Sequence, residues 1–201
     1  MKHARPLSTL CALVFVLLFL GAGSIGAEEL ANPAAADPRG PDSLQAGSWH
    51  LRLTGGSMIE HKDDVRLDYG GGGVEYYFTR MLSGVAELVF YNVDQDPGGT
   101  TKGWGFNLLA NADFYRTRHV TFFIAGGLGI ANFVRRVPAP DGTHFNFTEH
   151  GNLGARFRLS EDMYFVASAK YMHMSNLNME GADRNPSYDG FGGFGSLSVR
   201  F

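Results

Sequence analysis

Cysteine is all but missing from this chain: among 201 residues there is one, Cys11. It lies in a segment with the marks of a secretory leader, residues 1–27, and so is lost on export. Lys2 and Arg5 give that segment a positive start, an apolar run follows at 10–20, and Ile25-Gly26-Ala27 supplies small residues for cleavage. Cys11 opens the apolar run and follows Leu10, which is the wrong place and the wrong neighbour for lipid attachment. A mature chain without cysteine excludes disulfides and cysteine-based metal sites. Long apolar runs are missing too. The leader's own run is short for a membrane helix, and nothing after it is long enough to form one.

Charge is sparse, at 18% Asp, Glu, Lys and Arg. Removing Lys2 and Arg5 with the leader takes 17 basic residues to 15 against 20 acidic, so the formal charge moves from −3 to −5. That balance excludes a basic nucleic-acid-binding surface. His50, His61, His119, His144 and His150 are scattered without ligand spacing, so no metal is expected, and no cofactor motif is present. The glycines at 70–73 match a phosphate loop in composition only, because no Lys-Ser/Thr follows. Residues 28–46 are rich in Ala, Pro and Asp without periodicity and read as a flexible periplasmic lead-in.

What the chain does have is alternation. From Gly47 to Phe201, eight segments repeat with a period of two, near 47–57, 65–78, 82–95, 103–115, 119–134, 144–159, 163–176 and 188–201. Short connections at 79–81, 116–118 and 160–162 alternate with longer polar ones at 58–64, 95–102, 135–143 and 177–187. The fourth segment sets Trp104, Phe106, Leu108 and Phe114 against Asn107, Asn111 and Asp113. The sixth sets Leu153, Ala155 and Phe157 against Asn152, Arg156 and Arg158. An even number of such strands with short and long connections describes an all-β, eight-stranded antiparallel transmembrane barrel in a bacterial outer membrane. Residues 47–201 make up that barrel, with both termini on the periplasmic side. Arg156, Arg158 and Lys170 should point inward, with Glu75 and Glu87 to pair them, while Phe157, Phe165 and Leu197 face lipid. Eight strands enclose only enough room for side chains, which argues against a pore. The final Leu197-Ser198-Val199-Arg200-Phe201 resembles the terminal strand of outer-membrane barrels, whose last aromatic residue is recognised by the barrel assembly machinery.

The seventh segment breaks its own pattern. Its odd positions read Met163, Phe165, Ala167, Ala169 and Tyr171, and then His173 and Ser175 stand where apolar residues should be. Ten residues from Met163 to His173, tilted about 45°, rise roughly 24 Å, close to the apolar band of about 25 Å. An imidazole and a hydroxyl thus share the lipid-facing side at the external boundary, which suggests a nucleophile and its base. Across the 160–162 turn, residues summing to about 322 pair, which puts Glu149 beside His173. A carboxylate on that face is costly and so invites a role.

The run Tyr171-Met172-His173-Met174-Ser175-Asn176, followed by Asn185-Pro186-Ser187-Tyr188-Asp189, resembles the lipid A 3-O-deacylase (PagL-type) family of outer-membrane acyl hydrolases. The specific likeness covers roughly residues 145–201. The resemblance implies a serine esterase that removes the ester-linked 3-hydroxyacyl chain from the 3-position of lipid A. It assigns Ser175 as nucleophile, His173 as general base and Asp189 as the acid that orients the imidazole; the register above keeps Glu149 as the alternative acid. Asn176 or a nearby backbone N–H would support the oxyanion. Ser187 stands where the family has glycine, and aspartate stands for glutamate. Lipopolysaccharide is the implied substrate, and a homodimer is left open. Lys102, Arg135, Arg136 and Arg184 are candidates for lipid A phosphates as much as for solvent. Two other readings compete: a non-catalytic barrel serving adhesion or envelope integrity, and a barrel phospholipase.

Overall fold

Successive side chains on a strand point to opposite faces, so a segment that alternates apolar and polar residues can satisfy lipid and lumen at once. The computed structural model describes residues 44–60 and 65–201, and the alternating segments become eight strands there. They are β1 (Trp49–Glu60), β2 (Val65–Tyr77), β3 (Leu82–Asp94), β4 (Thr101–Arg116), β5 (Val120–Val137), β6 (Thr143–Arg158), β7 (Met163–Ser175) and β8 (Tyr188–Arg200). Each pairs antiparallel with the next, and β8 pairs with β1 to close the barrel. No helix among the described residues is long and apolar enough to cross a membrane; the chain crosses with its strands.

The outer wall is apolar: Leu51, Leu53, Phe90, Phe106, Leu108, Leu128 and Leu153 are all exposed. Phe157, Phe165 and Leu197 face outward as expected, and Trp49, Phe78 and Tyr115 stand at the periplasmic rim. The inner face divides by depth. Beneath the long loops, Met58, Leu67, Tyr69, Tyr91, Phe133, Met172, Met174 and Tyr188 form an apolar cluster. In the periplasmic half, Arg156 Nη2 lies 3.0 Å from Glu75 Oε1, and its Nη1 reaches Asp113. Arg52 meets the other Glu75 oxygen at 3.5 Å, and Ser83 and Asn111 donate to Glu75 Oε1 at 2.6 and 2.9 Å. Lys170, also buried, sits 4.8 Å from the centre of the Tyr69 ring.

Three expectations need adjustment. Arg158, at the end of β6, keeps the inward register beside buried Tyr164 but is only partly buried, and its Nε donates to Ser160 O in the turn at 3.1 Å. β1 runs on to Glu60, because Met58 and Glu60 continue the inward alternation and are 1% and 3% exposed. The expected leader at 1–27, and the lead-in as far as 43, lie outside the described residues. Leu44, however, is buried with Tyr77 and Tyr164 at the periplasmic mouth, and Arg116 donates to its carbonyl at 3.1 Å. Order therefore begins ahead of Gly47.

Candidate active site on the outer wall

Register places the candidate residues. β6, β7 and β8 lie side by side, and in one row across them Glu149 pairs with His173, which pairs with Asp189. All three belong to the outward set of their strands. Ser175, two residues beyond His173, pairs with Phe147 at the external end of β7 and is 7% exposed. The side chains of His173 and Asp189 are 19% and 18% exposed.

His173 Nδ1 lies 2.8 Å from Asp189 Oδ1. A carboxylate can only accept, so Nδ1 is the donor in this contact, and in the neutral form of the ring Nε2 keeps its lone pair. No hydrogen bond joins Ser175 and His173, although the two share a face at the i, i+2 spacing of a strand. Glu149, equally adjacent to His173 in register, makes no bond to it. Of the two acids considered from sequence, Asp189 is the one the structure brings to the imidazole.

Other groups hold Asp189 as well. The Tyr171 hydroxyl donates to the same Oδ1 at 2.7 Å, with its ring 4.9 Å from that of Phe191. The backbone N–H of Asp189 donates to Glu60 Oε1 at 3.0 Å. Neither contact was read from the sequence. Tyr171 shares the parity of His173, which was the available signal, but an outward aromatic also suits lipid. Glu60 had been placed in a connection.

Asn176 is occupied with the loop that follows. Its N–H donates to Asn185 Oδ1 at 2.8 Å, its Nδ2 donates to the Arg184 carbonyl at 2.7 Å, and its Oδ1 accepts from the Asn178 N–H at 2.9 Å. Leu177 and Asn178 both have left-handed backbone, φ 52° and 62°, and the Met179 N–H bonds back to the Asn176 carbonyl at 3.0 Å. Two left-handed central residues make a tight turn of the type I′ kind directly after the nucleophile candidate. Ser187 is not among the positive-φ residues, so serine in place of glycine carries no steric cost there.

Below the row of His173 the wall is hollowed. A depression of about 510 Å³ is lined by Ile124, Gly151, Leu153, Ala169, Tyr171 and Phe191. It continues towards the periplasm into a second of about 620 Å³, sharing Leu153 and Ala169. Among the described residues no group of three His, Cys, Asp or Glu side chains converges as a metal site requires.

A model of the family described as lipid A 3-O-deacylase (PagL) matches residues 64–194, well over half of the chain. The chain belongs to the lipid A 3-O-deacylase family. It is thus an outer-membrane carboxylic ester hydrolase acting on lipid A. No curated protein sequence matches it. Among solved structures, the outer membrane enzyme PagL is 14% identical, with a TM-score of 0.57 over 72% of this chain and 97% of that one. The N-terminal β-barrel domain of Pseudomonas aeruginosa OprF is also 14% identical, with a TM-score of 0.55 over 78% and 98%. Neisserial surface protein A is 13% identical, with a TM-score of 0.53 over 77% and 96%. At these identities the solved structures speak for the barrel alone.

Proposed function

We propose that this lipid A 3-O-deacylase works through Ser175, His173 and Asp189 on the outer wall of the barrel. The reading rests on one observation: the 2.8 Å contact that ties His173 Nδ1 to Asp189 on the face that also carries Ser175. With Nδ1 protonated, Nε2 takes the proton of Ser175 Oγ as that oxygen attacks the carbonyl of the ester at the sugar 3-position. The tetrahedral intermediate collapses when His173 returns the proton to the departing sugar oxygen. The acyl-serine is then hydrolysed by water activated at the same imidazole, releasing the fatty acid and restoring the hydroxyl. Catalytic hydrogen bonds tighten as substrate docks, so the unmade Ser175–His173 bond is compatible with these roles.

The released chain lies in the hollow below His173, and the sugar stands towards the long loops. Asn176 organises the turn first. Its second Nδ2 hydrogen is the donor it has left for the oxyanion, together with nearby backbone N–H groups. Nothing in the contacts favours a non-catalytic barrel, where an imidazole, a carboxylate and a tyrosine ordered around one oxygen on the lipid face would serve no purpose.

Mass spectrometry of lipid A from cells producing the wild type, Ser175→Ala or His173→Ala tests the assignment. Wild type should yield lipid A lighter by one hydroxyacyl group. Both variants should insert as folded barrels and leave lipid A intact. Deacylation by Ser175→Ala would reject the nucleophile, and released phospholipid chains would favour the phospholipase reading.

A further inference from the structure

Glu149 is the residue of this face that the chemistry above leaves unused. It stands between Leu128 and His173 in its register row, with Phe147 above and Gly151 below on the same face. Its Oε2 is buried and accepts no hydrogen bond, and the group beside it in the row that can carry positive charge is the His173 imidazole, already bonded to Asp189. A carboxylate held at the lipid boundary without a partner costs free energy, and a buried acceptor left unmade adds to that cost. The residue is only partly buried, so solvent can reach the rest of the carboxylate, but Oε2 itself is covered. The position gains from a donor that arrives with the substrate.

Its place in the row narrows which donor. Ser175 lies one row towards the loops, and Gly151, one row towards the periplasm, lines the hollow that takes the acyl chain. A chain running from the Ser175 carbonyl adduct into that hollow passes Glu149 with its first few carbons, whereas the sugar lies to the other side. We propose that Glu149 accepts a hydrogen bond from the hydroxyl on the third carbon of the chain being released, and so selects 3-hydroxyacyl over unsubstituted acyl esters. The proposal rests on the Ser175–His173 reading of the site. The shared chemistry is an uncharged hydrogen-bond donor near the scissile ester, and the glucosamine amide N–H is its other source.

The test uses purified, detergent-solubilised full-length barrel and three esters: a glucosamine carrying a 3-hydroxytetradecanoyl group at the 3-position, the same sugar carrying tetradecanoyl, and a 3-hydroxytetradecanoyl ester of an alcohol without an amide. Folding of each variant is checked by heat-dependent gel mobility. A hydrogen bond to a charged acceptor corresponds to about a tenfold to 100-fold preference. Wild type should therefore favour the hydroxylated sugar ester over the unsubstituted one by that factor in kcat/KM, and Glu149→Ala should bring the ratio close to one. Glu149→Gln, which preserves shape and a neutral acceptor, should retain part of it and stands in if Glu149→Ala does not fold. The loss in Glu149→Ala should appear with the amide-free ester as well. A ratio unchanged in the variants, including a uniform loss on all esters, overturns the proposal. So does a loss that follows the amide instead of the hydroxyl. Ser175→Ala is run beside them: hydrolysis by that variant defeats the catalytic reading itself, whereas an inactive Ser175→Ala with an unchanged ratio defeats only the role of Glu149.

Discussion

Asp189 Oδ1 receives two donors at once, His173 Nδ1 at 2.8 Å and the Tyr171 hydroxyl at 2.7 Å. A tyrosine hydrogen bond to an ionised oxygen is among the stronger kinds and restrains the short side chain of the proposed acid. Tyr171→Phe should leave the barrel intact and lower turnover by about tenfold, the effect of losing one bond to a charged group. Asp189→Asn, which disturbs the imidazole tautomer, should cost on the order of 10⁴-fold. Single-turnover assays on purified protein separate the two, and equal losses would mean that Tyr171 does more than position the acid. At this scale the sequence was legible wherever parity exposed a misfit: His173, Ser175 and Glu149 are polar residues on an apolar face. Tyr171 gives no such signal, since its aromatic ring belongs there, and its hydroxyl acquires a role only through a partner 18 residues away.

Strand pairing converts those residues into a surface. The row of Glu149, His173 and Asp189 could be anticipated in part, because a three-residue turn between β6 and β7 fixes which residues sum to the same number. The register of β8 could not, because the loop before it folds through Asn176, Asn178 and Asn185, whose side-chain bonds leave no periodic trace. The hollow below the row depends on small residues, and a Cβ built on Gly151 meets nothing within 4 Å. Gly151→Leu should fill that space without disturbing the strands. We expect KM for long-chain esters to rise severalfold while short-chain esters are turned over as before. An equal effect on both chain lengths would place the acyl chain elsewhere.

For the whole molecule, the interior carries the buried ion pairs and the exterior the proposed site. Glu75 is 1% exposed and bonded to Arg156, Arg52, Ser83 and Asn111. Its removal leaves Arg52 without an acidic partner and Arg156 with Asp113 alone, and breaking a buried pair costs about 3–5 kcal/mol. Glu75→Ala should therefore lower the temperature at which the folded band is lost on gels, while leaving the kcat of the protein that remains folded unaltered. That charges would meet in the lumen was readable from alternation. That Asp113 would be a partner of Arg156 was not, because the contact joins residues 43 apart across the barrel interior. The seating of Leu44 was equally hidden, since its segment has no pattern of its own.

The bond from the Asp189 N–H to Glu60 spans the seam where β8 meets β1, the last pairing a sequentially assembled barrel can make. A chain with an open seam holds His173 and Ser175 on one strand but lacks the bond from the proposed acid to Glu60. On the proposed roles, deacylation is expected only of the completed cylinder. Activity recorded during refolding should lag the appearance of β-structure and rise together with the heat-resistant gel band.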